Sequence, residues 1–255
     1  MITDNKTVYT TVEFDSWAKR EGLIRSESFL IENYFDSNPI QDTVEAGTAG
    51  GRILFDLKRR GFSNLSGFDF VAEFIEQAKR SDSNGNIHFQ VMNATQLNYP
   101  DGKFSQAIYL QQIVSLIESE VGRKKAVAEA YRILKQGGTV AFSFLCFESR
   151  QSALSYRVFI AWIWFLRTLL MKKRSFQLLP WLKLGGLLNW KAFFDIPPYV
   201  YWFRVEEAES LLIDAGFRIV ALGTDEQISH KNMFASAASL RDQPKKGMLY
   251  FVCKK

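Results

Sequence analysis

The run Glu45-Ala46-Gly47-Thr48-Ala49-Gly50-Gly51-Arg52 sets a carboxylate and three glycines between a short apolar strand pattern and a helical one. Glycine lets the backbone turn sharply and approach a ligand closely. The helix N-terminus that follows favours a negative group. Gly67-Phe68-Asp69 comes next, its carboxylate 22 residues after Gly47 and placed to accept bonds from both ribose hydroxyls of a nucleoside. Asn93-Ala94, one strand later, offers a side-chain oxygen to an adenine amino group. Asp and Asn also cap ordinary turns and helices, so each feature alone reads as a plain βα turn. Three in this order, each at the carboxyl end of a strand, point to a ligand built on a nucleoside.

The dinucleotide fingerprint Gly-x-Gly-x-x-Gly fails here, because counting from Gly47 its second and third glycine positions hold Ala49 and Arg52. Glu45 would also repel a pyrophosphate, whereas it suits a ligand carrying positive charge. S-adenosylmethionine has an ammonium, a sulfonium and no phosphate, so the electrostatics favour it over NAD.

Those residues need a frame to hold them. Thr43 to Gly47, Leu65 to Phe70, Ile87 to Met92, Phe104 to Leu110 and Thr139 to Leu145 read as strands. Helices are expected over Gly50 to Arg60, Val71 to Arg80 and Gly122 to Lys135. Such alternation predicts a parallel sheet with helices on both faces. Residues 1–40 read as a polar, helical cap closed by Pro39, in which Tyr9 and Trp17 are candidate cofactor contacts. After an interruption the rhythm resumes with a helix over Val205 to Ala215 and a strand over Phe217 to Leu222. A long polar loop from Thr224 to Lys246 and a last strand, Met248 to Cys253, complete it. Two closing strands with no helix between them imply an antiparallel pairing. The expected fold is therefore α/β, doubly wound and Rossmann-like: a seven-stranded, mostly parallel sheet with an antiparallel C-terminal strand and an aromatic, basic helical insertion. Residues 41–145 and 204–255 form its core and 146–203 the insertion.

The chain resembles a class I S-adenosylmethionine-dependent methyltransferase. Glu45, Gly47 and Gly51 match the acidic-x-Gly-x-Gly-x-Gly motif, with Ala49 at the middle glycine. Gly67-Phe68-Asp69 matches the second motif, and Asn93-Ala94 stands where Asp-Ala is usual. The run from Leu97 to Phe104 resembles the approach to strand four, Arg132-Ile133-Leu134-Lys135-Gln136-Gly137-Gly138 the approach to strand five, and Leu211 to Phe217 the helix end before strand six. The resemblance implies S-adenosylmethionine as cofactor, S-adenosylhomocysteine as product, and Glu45, Gly47, Thr48, Ala49, Gly51, Asp69, Phe70, Asn93, Ala94 and Gln111 as cofactor contacts. It also places Gln111 and Gln112 at the methionine end and the acceptor.

Composition singles out the insertion. Between Cys146 and Arg204 nine Lys/Arg face only Glu148 and Asp195, and five of the six tryptophans lie there. The rest of the chain is slightly acidic, so the net charge of +5 originates in this segment. Aromatic walls with basic rims suit a bulky apolar acceptor bearing an acid group, or an interface with anionic lipid. Arg157, Arg167 and Lys172-Lys173-Arg174 flank its most apolar stretch, as an interfacial helix requires. Gln112, Trp190, Tyr199, Tyr201 and Trp202 are the candidate acceptor contacts. His230 is the one histidine placed for base work; His88 reads as structural.

Methyl transfer from a sulfonium demands collinear geometry above all, and needs a base only if the acceptor must lose a proton. The expected function is methyl transfer on a small, bulky or apolar acceptor, with oxygen favoured and carbon or nitrogen open. A membrane-borne quinone or lipid precursor as acceptor, and a non-catalytic S-adenosylmethionine-binding protein, are the alternatives. Nucleic acid is disfavoured because the cations alternate with tryptophan and leucine rather than forming a solvated stripe. Two cysteines, Cys146 and Cys253, supply neither a disulfide framework nor a metal cluster, so no metal is expected. The N-terminus lacks the basic-then-apolar pattern of a signal peptide, and the longest apolar run, interrupted by Arg167, is too short to span a bilayer. A cytoplasmic protein with peripheral membrane contact through the insertion fits these features.

Overall fold

A computed structural model describes residues 4–255; the first three positions of the expected N-terminal cap lie outside the described residues. The cap consists of three helices, α1 (Asn5–Thr10), α2 (Phe14–Ala18) and α3 (Arg25–Tyr34). Asp4 caps α1 by accepting from the Thr7 N–H at 2.8 Å. Glu27 closes the start of α3 by accepting from the Ile24 N–H at 2.9 Å.

The alternation then runs β1 (Thr43–Ala46), α4 (Arg52–Arg59), β2 (Leu65–Asp69), α5 (Ala72–Ser81), β3 (Ile87–Val91), β4 (Phe104–Tyr109), α6 (Glu120–Ile133) and β5 (Leu134–Cys146). The insertion holds α7 (Phe147–Gln151), α8 (Leu154–Leu169), β6 (Leu178–Pro180), the hairpin β7 (Lys183–Leu184) and β8 (Leu187–Leu188), and β9 (Tyr199–Phe203). Last come α9 (Val205–Asp214), β10 (Arg218–Thr224), α10 (Asp225–Ser229), α11 (Ala237–Leu240) and β11 (Leu249–Lys254).

The sheet order is β10-β11-β5-β4-β1-β2-β3. β1 lies parallel to β2 and β4, β2 to β3 and β4 to β5. β11 runs antiparallel to both neighbours and sits inside the sheet, between β5 and β10, rather than at its edge. Alternation sends successive side chains to opposite faces. Ala107, Tyr109, Val140 and Phe142 join the core under α6 and α9. Ile108, Leu110 and Ala141 join the one under α3 and α4. The chain order crosses over between β1 and β4, which opens a crevice at their carboxyl ends.

Three expectations need revision. The insertion is only half helical: β9 extends the sheet by pairing with the last two residues of β5, and β6 pairs with β9, bringing the sheet to nine strands. Thr224 to Lys246 is not a plain loop, for it contains α10 and α11. The signal was present in Thr224-Asp225-Glu226-Gln227, whose Gln227 carboxamide oxygen accepts from the Thr224 N–H at 2.9 Å. His88 is exposed on the edge strand β3 rather than packed.

Candidate functional site

The glycine loop is built from β1 outward. The Thr48 N–H donates to the Phe68 carbonyl at 3.1 Å and the Gly51 N–H to the Thr48 carbonyl at 2.8 Å, which closes the turn. Gly47 sits at φ +63°, a conformation that favours glycine, and a Cβ there would meet the Ile113 Cδ1 at 2.1 Å and oblige that side chain to shift. Ala49 holds the left-handed region at φ 46° despite its methyl. Its N–H donates to Asp69 Oδ2 at 3.0 Å, while the Val71 N–H donates to Oδ1 at 3.0 Å. Asp69 thus ties the end of β2 to the glycine loop. Each of its oxygens keeps a lone pair for a further donor.

The charges of this floor are buried and paired. Glu27 and Arg52 form a two-pronged ion pair at 2.5 and 2.6 Å, their side chains 0% and 5% exposed. The Gln111 amide donates to the same Glu27 at 2.6 Å, linking α3, α4 and the end of β4. Glu45 accepts from the Thr48 hydroxyl at 2.7 Å. Burial pushes its carboxyl up to about 8, against the Thr48 bond and the Arg52 charge that lower it. Burial likewise raises Asp69 to about 6, opposed by its backbone N–H donors.

Above this floor lies a cavity of about 490 Å³, within the range of small-ligand sites. Gly47, Ala49, Asp69, Phe70, Asn93, Ala94 and Gln111 all line it. Glu45, Thr48 and Gly51 stand behind the lining and shape the loop. The N-terminal helices close the cavity with Asn5, Tyr9 and Trp17, and the segment after β4 contributes Ile113, Leu116 and Ile117. Asn5 donates to the Leu116 and Tyr199 carbonyls at 2.7 and 3.0 Å, and its buried Oδ1 has no partner among the described residues. Asn93 differs from expectation in its hydrogen bonds: its oxygen already accepts from the Thr95 N–H and hydroxyl at 2.9 and 3.0 Å, which leaves the amide donor for a ligand.

Gln111 and Gln112 are consecutive residues in the left-handed region, φ 58° and 56°, a conformation costing each roughly 1–2 kcal/mol. Ser143 anchors the turn by accepting from the Gln112 N–H at 2.9 Å. The pair separates two spaces. Gln111 lines the main cavity, and Gln112 lines a second pocket of about 180 Å³ together with Arg150, Tyr156, Trp181 and Trp202. Trp181 also meets Tyr9 of the main cavity edge-on, ring centroids 6.0 Å apart. Arg150 lies over the Tyr156 and Trp202 rings at 3.3 and 4.4 Å. No carboxylate pairs with it among the described residues, and burial holds its guanidinium below the ordinary range.

The remaining candidates lie elsewhere. Tyr199 and Tyr201 are buried in the sheet extension, their hydroxyls donating to the Asp195 carbonyl at 2.6 Å and to Glu207 at 2.5 Å. Trp190 is exposed on the insertion. His230 ends α10, its side chain 72% exposed and 3.7 Å from Glu226, outside both pockets. Arg167, counted with the flanking surface cations, is buried: it grips Asp195 at 2.6 and 3.0 Å and donates to the Ser175 and Leu178 carbonyls. Sequence reasoning missed Glu27 as the hub of the floor and Arg150 as a cation of the second pocket. Glu27 carried a signal in its place at the third position of a helix, but its partners arrive only through the fold.

Residues 44–142 match the family of the methyltransferase domain. No curated protein sequence matches the chain. Among solved structures, a methyltransferase dependent on S-adenosylmethionine from Methanosarcina mazei is similar at TM-score 0.65 and 18% identity, over 89% of this chain and 96% of its own. The CcbJ methyltransferase of Streptomyces caelestis reaches TM-score 0.65 at 14% identity, over 98% of both chains. A methyltransferase dependent on S-adenosylmethionine from Thermotoga maritima reaches 0.57 at 17%, again over 98% of both. At these identities the structural likeness speaks for the fold.

Proposed function

We propose that this chain, whose residues 44–142 match a methyltransferase domain, uses S-adenosylmethionine to methylate an oxygen of a small, bulky or apolar acceptor held in the pocket beside Gln112. The carrying observation is the strained Gln111-Gln112 turn, whose two side chains open into the two neighbouring spaces. Strain of this kind persists where surrounding structure over-determines it, and it clusters at functional sites. Glu27 holds Gln111 and Ser143 holds the Gln112 backbone, so the turn that borders both spaces is held in place.

The main cavity suits the cofactor in chemistry as well as size. Asp69 offers acceptor lone pairs for ribose hydroxyls, Asn93 an amide donor for an adenine ring nitrogen, and Asn5 an unpartnered buried oxygen. Glu45 places a carboxylate beneath the loop, where a cationic methionine end would rest. When bound, the cofactor supplies a methyl carbon on sulfur, and the acceptor–methyl bond forms as the carbon–sulfur bond breaks. On the acceptor side Tyr156, Trp181 and Trp202 form an apolar wall, and Arg150 offers a cation to an acid group. Positioning carries most of the rate in such a displacement; water takes an oxygen acceptor's proton, and no residue of the chain is assigned as base.

Calorimetric titration of S-adenosylhomocysteine tests the cofactor assignment: micromolar binding, weakened by about tenfold or more in Asp69→Ala through loss of charge-assisted bonds, with NAD silent. Labelled methyl transfer to a panel of phenols and carboxylic acids tests the acceptor. Arg150→Ala should raise KM for acid-bearing acceptors while leaving neutral ones and cofactor affinity unchanged. Failure of every oxygen acceptor alongside intact cofactor binding would defeat the oxygen assignment.

A second reading, a membrane-borne quinone or lipid precursor as acceptor, is favoured by the apolar outer side of the insertion. Transfer to a vesicle-embedded acceptor, absent with the same compound in free solution, is its test.

A further inference from the structure

α8 is apolar on both sides. Its core-facing positions are Phe159, Ile163 and Arg167, with the arginine buried against Asp195. Its solvent side carries Leu154, Val158, Trp162, Trp164, Phe165 and Leu169, between 42% and 72% exposed. A helix at a water boundary turns its apolar stripe inward and a polar face outward; here Phe159 and Ile163 do pack inward, but the outer face is apolar too, while the Arg167 ion pair and two backbone carbonyls fix the helix's rotation. The patch also extends past the helix. Trp162 donates its indole N–H to the Phe193 carbonyl at 2.7 Å and stacks obliquely on Phe165, and Phe193 in turn meets Trp190, itself 70% exposed. Trp164 reaches Phe176 on the segment beyond α8. Met171 and, at the β7–β8 hairpin, Leu187 are 87% and 76% exposed. Fourteen of the twenty large hydrophobic residues exposed among the described residues belong to the insertion, so it is one region that departs from a soluble surface rather than a scatter.

The cations of the same segment complement that apolar face. Arg157 stands on α8, Lys172-Lys173-Arg174 follow it within five residues with Lys172 reaching Asp195 at 3.6 Å, Lys183 opens the hairpin and Lys191 lies just beyond it. With Arg167 and Asp195 neutralising each other inside, Glu148 is the only other acid between Cys146 and Arg204. Tryptophans beside lysines and arginines on an in-plane helix match the boundary between headgroups and acyl chains of an anionic bilayer. Among the described residues no helix is long and apolar enough to cross a membrane, so the contact is one of lying on, not spanning. A second copy of the chain would place the same cations against each other, which disfavours self-association through this face.

We infer that the outer side of α8 and the β7–β8 hairpin form a docking surface for an anionic lipid bilayer. This inference rests on the geometry of the insertion, and it gives the membrane-borne acceptor reading its means of approach. The second pocket is lined by Trp181, Leu182 and Lys183, which lead directly into the hairpin, so a docked molecule would present that pocket near the headgroups.

The test uses the full chain loaded with S-adenosylhomocysteine and two vesicle types, pure phosphatidylcholine and a phosphatidylcholine–phosphatidylglycerol mixture. Sedimentation should show partition into the anionic vesicles at least tenfold stronger than into the neutral ones, with tryptophan emission shifted to the blue and quenched by brominated acyl chains. Lys173→Glu with Lys191→Glu should weaken that partition roughly tenfold or more, and Met171→Ser with Leu187→Ser several-fold. Both variants should bind S-adenosylhomocysteine as the parent does, which separates lost docking from lost folding. Equal or absent partition into the two vesicle types overturns the inference, as does a concentration-dependent dimer by light scattering that protects the same tryptophans. None of these outcomes depends on methyl transfer, so the acceptor readings stand or fall separately.

Discussion

The floor of the main cavity and the outer side of the insertion place polarity in opposite ways. At the floor Glu27, Glu45, Arg52 and Asp69 are buried, and each is met by side chains or backbone donors that come from different elements. On the insertion tryptophan, phenylalanine and leucine face outward while an arginine is buried in α8 beside Phe159 and Ile163. Both regions contain one buried arginine–carboxylate pair, Arg52–Glu27 and Arg167–Asp195, yet these pairs do different work. The first joins three elements around the ligand. The second only sets which way a surface helix turns. A buried ion pair is weak evidence for net stability; its value here lies in the arrangement that it specifies.

Breaking the two pairs separates their roles and carries the largest effects. Arg52→Met leaves Glu27 buried and unpaired, and should cost about 3–5 kcal/mol in urea unfolding, with S-adenosylhomocysteine binding lost because Gln111 and the glycine loop lose their anchor. Arg167→Met should free the insertion locally instead, detectable as faster amide exchange in α8, while cofactor binding survives. If both variants lose cofactor binding equally, the two regions are one cooperative unit and the contrast fails.

The floor should also respond to pH where the insertion does not. Glu45 ionises at about 8 in the ligand-free protein, well above an ordinary glutamate. Its protonated form is therefore the one that the fold favours. That contribution to stability is complete below the unfolded-state value near 4.3 and is lost as pH rises through about 8. A cationic ligand favours the carboxylate, so binding below about 8 must release a proton. Affinity for S-adenosylhomocysteine should then rise between about pH 6 and pH 7.5, by at most tenfold per unit for a single group. Calorimetry in buffers of different ionisation enthalpy would detect the released proton, and Glu45→Gln should flatten the profile.

The same contrast explains what could be read from the sequence. Gly47, Asp69 and Asn93 mark the ends of β1, β2 and the segment after β3, where a doubly wound topology leaves little choice of position. The cavity residues followed from that order. Which acceptor candidates reach a pocket did not follow, because Tyr199, Tyr201 and Trp202 alternate along β9: the tyrosines are buried and Trp202 faces the second pocket, and which face is which depends on pairing with β5. Arg167 was unreadable for a similar reason. Charge alone argues for the surface, and only Asp195, 28 residues later, reverses it. His230 drew notice as a histidine in a long loop, but α10 turns it toward solvent.

A smaller test sharpens the cavity side of the comparison. Ala49 stands at φ 46° where the related motif has glycine. Alanine in this region is strained by about 1–2 kcal/mol, while glycine costs about 0.4–1 kcal/mol through the freedom of the unfolded chain. Ala49→Gly should therefore raise the unfolding free energy by about 0.5–1 kcal/mol, the difference of those two effects. The Ala49 methyl packs against the buried cluster of Tyr9, Ala18, Val71 and Phe74, so a net loss of stability would mean that this packing outweighs the relief of strain.

The smallest effect is expected on the outer side of the insertion. Met171 and Leu187 are already 87% and 76% exposed in the folded chain, so unfolding uncovers little more of them. Met171→Ser with Leu187→Ser should change the unfolding free energy by no more than about 0.5 kcal/mol per site, as for surface positions generally. The hydrophobic contribution scales with area removed from water, and at these residues folding removes almost none. A loss of 2 kcal/mol or more, well beyond about 0.5 per surface site, would show that the face is covered in solution, by a second copy or by the insertion folding differently. A negligible change together with weaker vesicle partition would mean that these side chains contribute to contact with lipid and not to the fold.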